Sequence, residues 1–311
     1  MVAAAGAAFV ARRQPAVQSP AAAEPAQQAR PVSMAEWLAG HSQDWRVARL
    51  AENTAVLVIE FPSLAEQGAA LNRVAALLEK ADAPRDRVLT DAELAALIAH
   101  AGDTSQTFYQ GHDYEAKGLV RFFALVQAQG QALNAQEQRL RKTLVDTGVL
   151  LASPDGLRPA GAQALISFTA VQPDDPLTPA DETVDERRRD SILRHEASHG
   201  RFYTRPAYRA HCERFWREDL DDAQRELMRR YLSSLGYDRR DEQLMLNETQ
   251  ALLMHTADAR AFSAQAAGLS EAELSELRAR FWRTMPADAA DAQAGPDAAR
   301  SLRQASAIVG R

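Results

Sequence analysis

The sequence predicts an α+β protein that is predominantly helical and contains a small sheet. Helix signals are frequent, whereas strand-like runs are few and short. Capping boxes, each of which marks a helix start, occur at Ser63 with Glu66, Thr90 with Glu93 and Asn134 with Glu137. The clearest strand-like runs are AVLVIEF at residues 55–61 and ALISFTAV at residues 164–171. Both are short and rich in β-branched or aromatic residues, as half-buried or buried strands are.

The helices can be placed along the chain from caps and periodicity. Further helix signals come from GLVRFFALVQAQ at 118–129, Thr178 as an N-cap with Pro179 at the first helical position, and Gly236 as a helix end. The predicted helices span residues 63–79, 118–129, 179–203, 207–216, 222–235 and 242–255. The region from residue 34 to about 150 is therefore expected to be mostly helical.

Composition limits the classes of function. The chain has 311 residues, of which 46% are hydrophobic and 25% charged, which is ordinary for a soluble globular protein. A formal charge of -6, without a basic stripe interleaved with aromatics, argues against nucleic acid as a partner. Cys212 is the single cysteine, so a bound metal would need His, Asp or Glu ligands. No run of 18 apolar residues exists, so no transmembrane segment is expected in the chain as given.

The composition also changes along the chain. Residues 1–33 are rich in Ala, Pro and Gln and predict a disordered tail or the remnant of an export segment. Residues 34–158 are predicted to form a mostly helical N-terminal domain, residues 159–285 a second domain, and residues 286–311 a C-terminal tail.

The stretch RHEASHGRFYT, residues 194–204, carries the strongest chemical signal. His195 and His199 are four residues apart in a predicted helix, so both imidazoles can reach one ion about 2 Å from each nitrogen. Glu196 is rotated by about 100° from His195 and can hold a water without being a ligand. This is the H-E-x-x-H pattern, which also arises by chance when it stands alone.

A zinc site of this kind needs a third protein ligand. The segment NETQALLMH, residues 247–255, places Glu248 as the one acid on an otherwise apolar helix face. Burying a lone carboxylate is costly unless it is paired or bound to a metal. Glu248 is therefore the candidate third ligand.

HEASH followed by NETQA resembles the gluzincin clan of zinc metallopeptidases, and also a group of uncharacterised bacterial proteins with H-E-x-S-H-G and N-E-x-Q-A. The likeness covers about residues 164–256 and implies a zincin-like catalytic domain over 159–285. It implies that His195, His199 and Glu248 bind Zn²⁺ and that Glu196 is the general base. It also implies that Ala164–Val171 is an edge strand that pairs with an extended peptide.

The chain departs from the gluzincin pattern at several points. Forty-eight residues separate His199 from Glu248, and Leu252 stands where thermolysin-like enzymes carry an acid. The oxyanion-stabilising residue has no motif, which leaves Tyr203, Tyr208 and His255 as candidates for transition-state or substrate contacts. The segment FYQGHDY, residues 108–114, is interpreted as a structural, aromatic-rich turn, with a substrate-contacting loop as the alternative.

The leading functional hypothesis is a zinc-dependent metallopeptidase that hydrolyses a peptide or protein substrate with Glu196 as general base. A zinc amidase acting on cell-wall peptides and a non-catalytic zinc-containing binding protein are the alternatives. The export interpretation of the N-terminus favours the bacterial cell envelope or periplasm over the cytoplasm. The sequence leaves the physiological substrate, the cleavage preference and the oligomeric state open.

Overall fold

The computed structural model of the chain describes residues 30–177, 181–287 and 289. It confirms the predicted class, since about 52% of it is helical and 14% is strand. Most of the two predicted tails, and the predicted N-cap Thr178 with Pro179, lie outside the described residues. No helix in the described ranges is both long and apolar enough to cross a membrane.

Four strands form a mixed sheet, and two others form a hairpin beside it. The strands are β1 Arg46–Leu50, β2 Asn53–Phe61, β3 His112–Glu115, β4 Leu150–Ser153, β5 Gly156–Pro159 and β6 Ala164–Thr169. The sheet order is β1-β2-β6-β3, with β2 and β6 parallel and the other pairs antiparallel. Strands β4 and β5 pair antiparallel in the hairpin.

The expectation that Ala164–Val171 lies at the edge of the sheet is wrong. Strand β6 runs between β2 and β3, and all six of its residues are buried. A continuous apolar run of this kind is typical of a strand covered on both faces, which an edge strand is not. The outer strand next to β6 is β3, which lies in the segment that was interpreted as a turn.

The described residues include eleven α-helices. They are α1 Met34–Leu38, α2 Leu64–Leu78, α3 Asp91–Ala101, α4 Ala116–Ala128, α5 Ala135–Asp146, α6 Glu186–Thr204, α7 Pro206–Arg214, α8 Asp222–Ser234, α9 Glu242–His255, α10 Ala264–Ala267 and α11 Glu271–Arg283. A π-helical turn, Phe215–Asp219, extends α7. The Thr90 and Asn134 boxes form both reciprocal bonds. Ser63 caps α2, but the Glu66 carboxylate accepts a hydrogen bond from Trp45.

Helix α6, which carries the H-E-x-x-H motif, begins later than predicted. Its first residue is Glu186, and the Asp185 side chain caps it by accepting from the Arg188 N–H. Residues 181–185 are not helical because Val184 forms a bridge with Gln172, which commits its backbone N–H and C=O to that partner. The predicted start near Pro179 is therefore too early.

Helices cover both faces of the sheet. Helices α2, α4 and α5 contribute to an apolar cluster on one face, whereas α1 and α6 pack on the other. On the side of α6 away from the sheet, α7, α8, α9 and α11 form a third apolar cluster. The sheet takes three strands from before residue 158 and one from after it, so it spans the predicted domain boundary.

A glycine lets α6 lie close to the sheet. A Cβ at Gly200 would lie 2.9 Å from the Val56 side chain and 3.4 Å from that of Ile166. Any larger residue would push α6 away from β2 and β6. The Gly in H-E-x-S-H-G therefore fixes the distance between the motif helix and the sheet, and through it the position of the site.

Candidate metal centre

Helices α6 and α9 bring the three predicted ligands together. His195 Nε2 lies 3.0 Å from His199 Nε2, and the Glu248 carboxylate oxygens lie 3.7 Å from each of these nitrogens. His199 and Glu248 are buried, and the His195 side chain is 16% exposed. Ligand atoms about 2.1 Å from a tetrahedral zinc would be roughly 3.4 Å apart. The three side chains are thus spaced as zinc ligands would be.

Thr256 orients His195. The Thr256 hydroxyl donates to the Ala251 carbonyl, so it accepts the hydrogen bond that joins it to His195 Nδ1 at 2.7 Å. The proton of His195 is therefore on Nδ1, and the Nε2 lone pair is free for a metal. Leu252 has no polar group to offer His195, and Thr256 supplies this hydrogen bond. Sequence reasoning missed it, because Thr256 lies just beyond the end of α9.

Both histidines are neutral in this environment. Burial lowers the pKa of His199 to about 4, although the neighbouring Asn247 side chain opposes the shift. Burial, together with the nearby His199 and His255, lowers the pKa of His195 well below its usual value. Neutral imidazole is the form that binds a metal.

The carboxylate of Glu196 is packed against the chain at Gly111. A Cβ at position 111 would lie 2.1 Å from Glu196 Oε1 and 2.8 Å from Ile192, so only glycine fits there. Glu196 Oε2 is buried and makes no hydrogen bond to any described residue. Burial raises the pKa of Glu196 well above its usual value, and the charges of Asp113 and Glu248 add to the effect. The glycine in FYQGHDY was the sequence signal for this contact.

Strand β3 adds Asp113, which sequence reasoning did not place in the site. Its Oδ1 accepts a hydrogen bond of 2.7 Å from the Tyr203 hydroxyl, and its Oδ2 lies 3.6 Å from His199 Nε2. Asp113, Glu196 and His199 form a second group whose potential ligand atoms lie within 4.8 Å of one another. Burial raises the pKa of Asp113 to about 8, while the Tyr203 bond opposes the shift.

The remaining polar residues of the two motifs connect α6 to α9. Gln250 Nε2 donates to the Ser198 hydroxyl at 3.1 Å and to Asn247 Oδ1 at 3.3 Å. The Ser198 hydroxyl in turn donates to the His195 carbonyl. The Ser of H-E-x-S-H-G and the Gln of N-E-x-Q-A thus connect the ligand-bearing helices.

The three candidates for transition-state or substrate contacts lie in different places. Tyr203 reaches the site through Asp113, as described above. Tyr208 is fully buried and donates to Gln250 Oε1 at 2.6 Å, and His255 Nε2 lies 3.0 Å from the same hydroxyl. None of the three candidates is among the residues that line the cavity beside Glu196.

A cavity of about 530 Å³ opens beside His195 and Glu196. Much of its wall comes from the first half of the chain, including Lys80 and the segment Thr107–Gly111, and Tyr237 lines it from the second half. The Lys80 ammonium lies 4.6 Å from the ring centroid of Phe108 and also of Tyr109. The cavity has the size of a typical small-molecule or short-peptide site.

No protein-family model, curated protein or solved structure matches the chain. The assignment of a metal therefore depends on the donor set itself. Two imidazole nitrogens with one carboxylate suit zinc, and the unpaired Glu196 oxygen lies beside them. The residues present fit a zinc ion.

Proposed function

We propose that this protein is a zinc-dependent metallopeptidase in which His195, His199 and Glu248 hold the ion. One observation carries the proposal. Two neutral imidazoles and the buried Glu248 carboxylate lie within 3.7 Å of one another, and the buried Oε2 of Glu196 beside them has no hydrogen-bond partner among the described residues. A non-catalytic binding protein does not require an unpaired carboxylate oxygen there, whereas a hydrolase requires a general base at this position.

Zinc, when bound, polarises a water molecule and a substrate carbonyl. Glu196 takes a proton from the attacking water at Oε2 as the new carbon–oxygen bond forms. It then gives that proton to the leaving amine nitrogen as the carbon–nitrogen bond breaks.

A second candidate is a zinc amidase that acts on short peptides such as those of the cell wall. The observation that favours it is the cavity, which is walled by residues of the first half of the chain around Phe108 and Tyr109. A volume of about 530 Å³ suits a few residues better than a long extended chain. His112, Asp113 and Tyr114 are also buried, so most of the outer strand β3 is covered.

The test pairs zinc analysis with cleavage of a peptide library that includes long peptides and short cell-wall-type peptides. It compares the natural protein with Glu196→Gln and with Glu276→Gln, a matched change at a side chain that is 58% exposed on α11. We expect zinc in all three proteins, and hydrolysis in the natural and Glu276→Gln proteins. Loss of the general base should lower the hydrolysis rate of Glu196→Gln by about 10²-fold to 10⁴-fold.

The outcome separates the candidates. Cleavage of long peptides supports the peptidase, and cleavage confined to short cell-wall peptides supports the amidase. Zinc bound without any hydrolysis would point to a binding protein instead. A natural protein that takes up no zinc at neutral pH would refute all of these.

A further inference from the structure

Asp113 is an acid of the centre that the proposed chemistry does not use. We infer that Asp113 is a second catalytic carboxylate, which holds one proton of the attacking water while Glu196 removes the other. The inference rests on the proposed hydrolytic function, since it concerns the same water molecule. It assigns a role to a residue outside both sequence motifs.

The position of Asp113 is that of a group facing the water rather than a ligand. Asp113 Oδ2 approaches His199 Nε2 to 3.6 Å, as closely as Glu248 Oε1 does at 3.7 Å. It groups with Glu196 and His199, however, and not with His195 and Glu248. Asp113 therefore lies on the side of His199 where Glu196 lies, so a water between the two carboxylates can contact both.

A chain of hydrogen bonds, each donated in the same direction, determines which oxygen of Asp113 can accept a hydrogen bond from a water. Gln250 donates to Asn247 Oδ1, and Asn247 Nδ2 donates to the Tyr203 hydroxyl at 3.2 Å. Because Tyr203 accepts from Asn247, its own proton goes to Asp113 Oδ1. Oδ1 is thus occupied, and Oδ2, the oxygen that faces His199, remains the acceptor for a water.

Two carboxylates suit the needs of the nucleophile. A water whose two O–H bonds point at Glu196 and at Asp113 Oδ2 presents a lone pair away from both, toward a substrate carbonyl. One O–H bond breaks to Glu196 as oxygen bonds to carbon, and the same proton reaches nitrogen as the carbon–nitrogen bond breaks. The second O–H bond stays intact, held by Asp113, until the acid product ionises. The sum is water plus amide giving acid plus amine.

The experiment compares the full-length natural protein with Asp113→Asn, Tyr203→Phe and the double variant. The matched control is Asp190→Asn, which removes a 37% exposed acid on the outer face of α6. Two quantities are measured: zinc affinity by competition with a chromophoric chelator, and kcat and KM on a peptide that the natural protein cleaves.

We expect Asp113→Asn to bind zinc within about tenfold of the natural affinity and to lose about 10²-fold to 10³-fold in kcat with little change in KM. In Tyr203→Phe, kcat should fall about tenfold, because Asp113 keeps Oδ2 but loses the hydrogen bond that orients its carboxylate. The double variant should be no slower than Asp113→Asn, because both changes act through one carboxylate. Asp190→Asn should have the zinc affinity, kcat and KM of the natural protein.

Three results would overturn the inference. A natural kcat in Asp113→Asn would show that the acid is not used, while hydrolysis by the natural protein would still support the proposed function. A hundredfold or greater loss of zinc affinity would make Asp113 a ligand instead. Should Asp113→Asn fail to fold, Tyr203→Phe decides, and an unchanged kcat in that variant would refute the inference. Absence of hydrolysis in the natural protein would remove both proposals together.

Discussion

Glu137 and Glu248 are equally buried acids with opposite surroundings. Glu137 is 1% exposed and accepts two hydrogen bonds from Arg73, at 2.7 Å and 2.5 Å. Glu248 is 3% exposed and lies 3.7 Å from two neutral imidazoles, with no arginine paired to it among the described residues. The first acid is neutralised by the fold itself. The second has no arginine partner among the described residues, and the charge of Lys80 only partly opposes the rise of its pKa; this difference marks the site.

The same contrast extends to the neighbours of Glu248. Burial is the main cause that raises the pKa values of Glu79, Asp113, Glu196 and Glu248. The shifts of Glu79, Glu196 and Glu248 are each increased by at least one other acid of this group, and that of Asp113 is increased by Glu115. Lys80 lies among them, but burial lowers the pKa of its ammonium. Buried charges of one sign are costly unless a counter-charge is present. A divalent cation would supply it.

The largest expected effect comes from making one substitution at both acids in the metal-free protein. Glu137→Gln keeps the cap of α5 but leaves the Arg73 charge buried without its partner, so it should lower the free energy of unfolding by about 3–5 kcal/mol. Glu248→Gln removes a carboxylate that has no arginine, so it should not destabilise. Urea unfolding of the two variants measures this. Equal losses in both would contradict the distinction drawn between the two acids.

Zinc should stabilise Glu137→Gln but not Glu248→Gln. At a free zinc concentration about 100 times the dissociation constant, zinc should raise the free energy of unfolding of the natural protein by about 2.7 kcal/mol. Glu137→Gln should keep this gain, whereas Glu248→Gln should lose most of it. Thermal unfolding with zinc and with a chelator gives the comparison. A gain of the same size in Glu248→Gln would exclude Glu248 as a ligand.

A smaller effect is expected at Thr256, which acts on the metal through His195. Thr256→Val keeps the shape of the side chain but removes the oxygen that accepts from His195 Nδ1. Zinc affinity should fall by about 10-fold to 100-fold, which is about 1.4–2.7 kcal/mol. Chelator competition measures it, with Thr107→Val as a control on the cavity wall. An unchanged affinity would mean that Thr256 does not orient the imidazole.

The smallest change is the one measured over a single pH unit in the metal-free protein. Burial and the charge of Asp113 raise the pKa of Glu79 to about 8 from its usual 4.5. The folded protein therefore holds a proton that the unfolded chain releases, so this contribution to stability is complete below about pH 4.5 and is lost as the pH rises toward 8. Within that window the free energy of unfolding should fall by about 1 kcal/mol per pH unit.

Glu79→Gln removes this ionisation, so its free energy of unfolding should fall less between pH 6 and pH 7 than that of the natural protein. Urea titrations at the two pH values measure the slopes. The exposed variant Glu276→Gln should keep the natural slope. Parallel slopes for Glu79→Gln and the natural protein would contradict the assignment.

The sequence predicted the part of the site that local spacing encodes. His195, Glu196 and His199 are set by one helical turn, and Glu248 was singled out because it is an acid on an apolar face. The predicted helices and β2 are also present, because caps and periodicity are local signals. These features need no knowledge of what the helices pack against.

The parts that depend on distant pairing were missed. Asp113 reaches His199 only because the four-residue strand β3 pairs with β6 in a fixed register, with Asp113 opposite Ile166. The close packing of Gly111 on Glu196 likewise joins segments far apart in the chain. The late start of α6 depends on the bridge between Gln172 and Val184. None of these contacts leaves a periodic pattern in the sequence.

Elemental analysis after exhaustive dialysis against metal-free buffer tests most directly whether His195, His199 and Glu248 form a zinc site. We expect one zinc per chain in the natural protein, in Glu196→Gln and in Glu137→Gln, and much less than one in Glu248→Gln and His199→Ala. No zinc in the natural protein, or equal zinc in Glu248→Gln and the natural protein, would contradict the account.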